Sequence, residues 1–212
     1  MFNSQKYKEI RKNIEKLSIN TKIIAISKNH PKESVEEAIV NGVSLFGENR
    51  VQEAIFKFDA IKLSNKNISL HLTGPLQTNK VKKALDIFDV FHTLDREKLV
   101  KELSKYPDKI DHRSFFIQVN TGKESSKSGV YPEDIEKFYK FCLENGIKKI
   151  EGLMCVPPIN EDPKKHFKLI NQLTKDLGLK APSIGMSSDY LDALEFRPKY
   201  IRLGTVLFGE RQ

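Results

Sequence analysis

The chain has 212 residues, 39 % hydrophobic and 30 % charged, with 36 Lys plus Arg against 28 Asp plus Glu and a formal net charge of +8. This is apolar enough for a folded core and too apolar for a disordered chain; no run approaches the ~20 residues of a membrane helix, and the charged opening MFNSQKYKEIRKNIEKL lacks the apolar stretch of a signal peptide. Cys142 and Cys155 have no CxxC or Cys/His spacing, which sets aside a disulfide scaffold and a structural zinc site and leaves a cytoplasmic globular protein as the expectation.

A helix over residues 5–17 comes first. Short apolar, β-branched runs then alternate with longer amphipathic stretches. The runs are 22–27 (KIIAIS), 43–47 (VSLFG), 69–73 (SLHLT), 90–93 (VFHT), 114–120 (SFFIQVN), 150–156 (IEGLMCV), 182–186 (PSIGM) and 200–204 (YIRLG), which gives eight strands. Between them apolar residues recur at spacings of three and four, as in Val35/Ala38/Ile39 and Leu99/Leu103. Strands that each feed a helix imply parallel pairing and right-handed crossovers. Eight such units in about 200 residues fit a single (β/α)8 TIM barrel with an extra N-terminal helix. A doubly wound open sheet is the competing architecture. No linker or composition shift divides the chain, so residues 1–212 read as one domain. The lysines are scattered along helices with acids nearby, as in KNIEKL and DREKLVKEL, the pattern of solvated faces rather than of a nucleic-acid surface. The positive balance also suits small anions.

In a barrel of this kind chemistry sits at the C-terminal strand ends. Five of these ends are rich in polar residues and glycine: Ser27-Lys28-Asn29-His30-Pro31, Gly47-Glu48-Asn49-Arg50, 74–80 (GPLQTNK), Gly185-Met186-Ser187-Ser188-Asp189 and Arg202-Leu203-Gly204-Thr205. Lys28 shares a strand face with Ile24 and Ile26. If that face points inward, its amine sits at the mouth of an apolar cavity, where desolvation lowers the pKa and makes it a nucleophile toward a carbonyl. A solvated lysine in a loop is the plainer alternative. The last two of these ends are where barrels often bind phosphate. Glycine admits an anion to the backbone, and Ser187 or Ser188 can cap the helix that follows. Helix capping and a tight turn explain the same residues without a ligand. Arg202 lies within its strand and needs a partner: Glu48, Glu210 or a ligand. His71 reads as a core histidine with a satisfied hydrogen bond. GPLQTNK lacks the Lys-Ser/Thr pair of the Walker motif, and no HExxH, GxSxG or GxGxxG occurs.

Taken in order, these pieces resemble the pyridoxal phosphate homeostasis protein family. The matching residues are Ala25-Ile26-Ser27-Lys28, Phe46-Gly47-Glu48-Asn49, 71–80 (HLTGPLQTNK), Val119-Asn120 with Lys127-Ser128-Gly129, Gly152-Leu153-Met154, Gly185-Met186-Ser187 with Asp189, and 201–211 (IRLGTVLFGER). The resemblance spans the chain from the first helix to Arg211. It implies an alanine racemase-type barrel without the C-terminal β-domain, holding pyridoxal 5′-phosphate (PLP) as a Schiff base. By position Lys28 is similar to the family's Schiff-base lysine. Ser187, Gly204 and Thr205 are similar to its phosphate ligands, and Arg202 to the partner of the pyridine nitrogen; Asn49 and Met186 line the site. Two departures stand out: Thr73, where the family usually has an aliphatic residue, and 195–199 (EFRPK), which replaces a glycine-containing turn. Neither is expected to touch the motif residues. An arginine against the ring nitrogen gives a weak electron sink. The racemases' second domain supplies an acid/base group that is not expected here, and a tyrosine from elsewhere, such as Tyr131 or Tyr190, is the substitute weighed. The expectation is a PLP carrier in intracellular cofactor homeostasis, with little or no catalysis. The alternative is a racemase-like enzyme. Apo PLP-dependent enzymes are the implied recipients, with no nucleic acid, membrane or metal involved, and a lone barrel favours a monomer.

Overall fold

A computed structural model describes residues 1–17 and 19–210; Arg211, the last residue of the matched run, lies outside these. All eight expected strands form, within a residue or two of the expected bounds. They are β1 (Lys22–Ile26), β2 (Leu45–Glu48), β3 (Ser69–Leu72), β4 (Val90–Leu94), β5 (Ser114–Gln118), β6 (Ile150–Met154), β7 (Ser183–Met186) and β8 (Tyr200–Leu203). They pair in parallel in sequence order and close into a barrel, β8 against β1. The open sheet is thereby excluded.

The helices outside are α1 (Ser4–Lys16), α2 (Lys32–Val40), α3 (Val51–Ser64), α4 (Val81–Ile87), α5 (Glu97–Leu103), α6 (Pro107–Ile110), α7 (Ile135–Glu144), α8 (Pro163–Asp176), α9 (Tyr190–Leu194) and α10 (Thr205–Phe208). Helix α1 starts at Asn3, whose side chain accepts from the Lys6 N–H at 2.9 Å, satisfying one of the free donors of the first turn. Its buried residues Tyr7, Ile10 and Ile14 are spaced three and four apart and form one stripe. The Asn3 N–H bonds to the Leu207 carbonyl at 2.7 Å, tying the first helix to the last. Among the described residues no helix is long and apolar enough to cross a membrane.

Two apolar layers result from strand alternation. The outer one, between strands and helices, holds Ile23, Ala25, Phe46, Leu70, Leu72, Phe91 and Phe115. The inner one, inside the barrel, holds Ile24, Ile26, Val90, Phe116, Met154 and Tyr200. Among these inner residues His71 and His92 are wholly buried, 2.9 Å apart from Nδ1 to Nε2. The His92 ring stacks on Phe116 with centroids 4.7 Å apart. Burial, helped by Lys199, Lys22 and Lys62, pulls the His71 pKa from 6.5 down to about 3, and burial beside His71 and Arg202 pulls His92 well below its usual value.

Both imidazoles are therefore neutral in the folded protein and protonate near 6.5 only when it unfolds. Their contribution to stability is fully present above that pH and is lost as pH falls toward the folded values, by about 1.4 kcal/mol per pH unit for each histidine. Urea unfolding at pH 7.0 and at pH 5.5, above most carboxylate titrations, should show this fall. Equal stability at the two values would mean that the pair is not buried neutral.

Candidate functional site

The upper mouth of the barrel opens into a cavity of about 740 Å3. Lys28, Asn49, Met186, Ser187, Arg202, Gly204 and Thr205, the seven residues singled out in the sequence, all line it. Ile26, Thr73, Val156, Ser188 and Val206 complete the wall. The expected face sharing explains the position of Lys28: Ile24 and Ile26 belong to the inner layer, and Lys28 continues their side of β1 two residues past its end.

The turn that presents Lys28 is braced from below. Asn29 has φ of +61°, a left-handed conformation that an asparagine tolerates. Its N–H donates to Glu53 Oε1 at 2.6 Å. Lys57, on the buried stripe of α3, donates to the carbonyls of Ser27 (2.7 Å) and His30 (3.1 Å), on either side of Lys28. The same ammonium meets Glu48 Oε1 at 2.6 Å and Glu53 Oε1 at 2.8 Å. Glu48 is fully buried and also accepts from the Ser27 hydroxyl at 2.7 Å, while its Oε2 has no hydrogen-bond partner among the described residues. Burial raises the Glu48 pKa against the pull of Lys57 and Ser27. The sequence reading missed this clamp; its signal was a lysine placed three residues after Ala54 and four before Ile61, on an apolar stripe.

Arg202 is buried on β8 beside Ile24 of β1. It pairs with neither Glu48 nor Glu210, contrary to the alternatives weighed from the sequence. Nη1 donates to the Ser183 carbonyl (2.7 Å) and hydroxyl (2.9 Å), and Nη2 to the Cys155 carbonyl (2.8 Å). All three acceptors are neutral, two carbonyls and a hydroxyl. The Asp189 carboxylate acts on Arg202 through space without a hydrogen bond to it among the described residues, so the guanidinium is held in place with no carboxylate in direct contact.

Ser187 does not cap its own helix either. Helix α9 starts after Asp189, which offers no side-chain cap but accepts the Met186 N–H at 2.6 Å. The Ser187 hydroxyl instead reaches across to the β8 loop, where it accepts from the N–H groups of Gly204 (3.2 Å) and Val206 (3.4 Å). The two loops form one unit. Its rim lines the cavity with Ser187, Ser188, Gly204 and Thr205, three of them hydroxyl residues.

The expectation that Thr73 stays clear of the motif residues is overturned. Its hydroxyl donates to Asn49 Oδ1 at 2.9 Å, which turns the amide nitrogen of Asn49 away from Thr73 as a donor. Behind it Gly74 has to be glycine, since a Cβ there would lie 2.6 Å from the Asn49 carbonyl oxygen. Tyr131 and Tyr190 do not line the cavity; Tyr131 is exposed and Tyr190 is packed in the outer layer.

The donor set fits PLP. Among the described residues lining the cavity are two cations, Lys28 and Arg202, and no carboxylate. An amine for an aldehyde, N–H and hydroxyl groups for a phosphate, and a donor-only guanidinium for a neutral ring nitrogen thus surround one space. Among the described residues no cluster of three or more His, Cys, Asp or Glu is arranged to hold a metal.

Comparison with known proteins agrees with this chemistry. Residues 4–212 match the family "Alanine racemase, N-terminal domain". A pyridoxal phosphate homeostasis protein of Aquifex aeolicus is 36 % identical over 201 residues, 90 % of this chain and 87 % of that one. The structure of PipY from Synechococcus elongatus without PLP superposes with a TM-score of 0.87 at 30 % identity, over 97 % of this chain and 99 % of that one. The PLP-bound form of PipY gives 0.84 over the same shares. Alanine racemase from Acinetobacter baumannii, 18 % identical with a TM-score of 0.71 over 97 % of this chain and 61 % of its own, shares the fold.

Removing the Lys57 ammonium leaves Glu48 buried and uncompensated. Lys57→Met should therefore cost about 3–5 kcal/mol, and the paired change with Glu48→Leu should recover most of it. Chemical denaturation of the three proteins checks this; a single variant within 1 kcal/mol of the parent, on the order of an exposed pair, would show that the clamp carries little.

Proposed function

The chain belongs to the pyridoxal phosphate homeostasis proteins, within the alanine racemase N-terminal domain family, and from that premise we propose that it holds PLP at the upper mouth of the barrel to store, buffer or hand on the cofactor. When bound, PLP supplies an electrophilic aldehyde and an electron-withdrawing ring. In this reading residues 1–212 act as one cofactor-binding domain. The Lys28 amine takes the aldehyde covalently. Ser187, Gly204 and Thr205 bind the phosphate, Arg202 donates to the ring nitrogen, and Asn49 and Met186 line the wall beside it. A cytoplasmic monomer that passes PLP to apo enzymes completes the reading.

One observation carries it: Lys28 and Arg202, from the first and last strands, face a single cavity whose lining holds no acid. The same lining supports carriage over catalysis. Among its described residues Lys28 is the one amine, and no carboxylate, imidazole, phenol or thiol lines it, the others being apolar, amide, hydroxyl or guanidinium groups. Racemisation needs a second such group on the opposite side of the substrate carbon.

Addition of PLP should turn the protein yellow, and borohydride should fix the label on Lys28. Lys28→Ala should fold normally and take up no covalent label. Single enantiomers of amino acids incubated with the loaded protein should keep their optical purity by chiral chromatography. A label on a different lysine defeats the assignment, and rapid racemisation defeats the carrier role.

Ser187→Ala and Thr205→Ala should each weaken PLP binding by about 1–3 kcal/mol, the range for losing a hydrogen bond to a charged group. Equilibrium dialysis gives the constants. If both variants bind as tightly as the parent, neither hydroxyl belongs to the phosphate site.

A further inference from the structure

Below Arg202 a chain of hydrogen bonds runs down the inside of the barrel. From the arginine it passes to Ser183 Oγ (2.9 Å), from Ser183 Oγ to His92 Nδ1 (3.1 Å), from His92 Nε2 to His71 Nδ1 (2.9 Å), and from His71 Nε2 to Ser69 Oγ (3.3 Å). Ser183, His92 and His71 are wholly buried, while Ser69 is half-buried at the start of β3. None of the ligand-binding roles above uses the two histidines.

The direction of these bonds follows from their ends. A guanidinium only donates, so Ser183 Oγ accepts from Arg202. The Ser183 O–H then needs an acceptor, and among the described residues the one other partner of Oγ is His92 Nδ1. The reverse arrangement, with His92 Nδ1–H donating to Ser183, would strand a buried hydroxyl proton. His92 Nδ1 is therefore bare and its proton is on Nε2. That proton points at His71 Nδ1, which must be bare in turn, so His71 also carries its proton on Nε2 and gives it to Ser69. At the half-buried end the Ser69 hydroxyl has access to water.

We propose that Ser183, His92, His71 and Ser69 are positioning residues for Arg202, forming a one-way relay in which each group accepts from the arginine side and donates away from it. The relay fixes both imidazoles as the Nε2–H form and holds the guanidinium at the tilt with which it meets the ligand. None of the hydrogen bonds among the described residues uses Arg202 Nε, and the bonds of Nη1 and Nη2 to Ser183 and Cys155 pin the rest of the group. Nε–H and the second N–H of Nη2 are uncommitted among the described residues, and Arg202 lines the cavity. The coupling of this relay to PLP rests on the function proposed above; its direction does not.

Nitrogen-15 NMR of the imidazole rings tests the relay in two stages. In the protein without PLP, long-range proton–nitrogen correlations should show His71 and His92 each protonated at Nε2 and bare at Nδ1. Either ring found protonated at Nδ1 overturns the relay. PLP should then shift the His92 nitrogens, and His71 less, and Ser183→Ala should abolish that response. His92→Phe keeps the ring that stacks on Phe116 but removes both hydrogen bonds. It should weaken PLP binding about 3- to 10-fold, the effect of one to two neutral hydrogen bonds, and leave Lys28 as the labelled residue. Silent histidines on PLP binding, or unchanged affinity in His92→Phe, would reduce the chain to packing. A parent protein that binds no PLP would instead sink the proposed function, while the ring protonation pattern would still decide the relay.

Discussion

The hydrogen bonds that join β8 to β1 are the constraint on which the site rests. They set Ile24 beside Arg202, so a lysine at the end of the first strand and an arginine on the last face one cavity. In a flat sheet of the same strand order, seven spacings of about 4.8 Å would separate them by roughly 30 Å. No small ligand would reach both. Closure turns that separation into one strand spacing, and the joined loops after β7 and β8 come with it.

Within the closed barrel two buried cations have opposite fates. Lys57 meets the carboxylates of Glu48 and Glu53 and the carbonyls around Lys28. Its charge is cancelled on the spot, and what remains is a mechanical tie between α3 and the Lys28 turn. Arg202 meets neutral oxygens only. It lines the cavity, with Asp189 the carboxylate that acts on it through space. Had Glu48 paired with Arg202, the Lys28 turn would have lost its brace. The pairing of Lys57 with Glu48 and Glu53 thus keeps both acids off Arg202 and braces the Lys28 turn.

Much of this was legible in the sequence because it is periodic or punctuated. The eight β-branched runs, the spacing in α1 and the polar strand ends each follow a local rule, and strand alternation alone set Lys28 in line with Ile24 and Ile26. What was illegible depends on which strand lies across the barrel. His92 sits in the short run VFHT and Ser183 in PSIGM; nothing local says that they touch. Sequence alone offers Ser187 or Ser188 as a cap for the helix that follows, the nearest set of free N–H groups, whereas closure brings the N–H groups of Gly204 and Val206 within reach of Ser187. Thr73 stands in the sequence as a family departure expected to touch no motif side chain; across β2 and β3 it meets Asn49. Lys57 was lost for a different reason: a lysine among helix charges looks solvated unless its place on the apolar stripe is counted.

The length of the polar chain inside the barrel follows from the choice to leave Arg202 charged. Its N–H groups need acceptors that carry no charge, and carbonyls and a hydroxyl provide them. A hydroxyl that accepts must also donate, and in a sealed interior its proton needs a further acceptor, or about 1–3 kcal/mol is lost. A neutral imidazole accepts at one nitrogen but donates at the other, so it passes the requirement on rather than ending it. The chain can stop only where water can take the last proton, which here is at Ser69, on the far side of the inner layer from the cavity. A carboxylate beside Arg202 would have ended the chain at once and cancelled the charge. Two buried histidines in an otherwise aliphatic and aromatic layer are thus the structural consequence of an arginine kept positive for what enters from above.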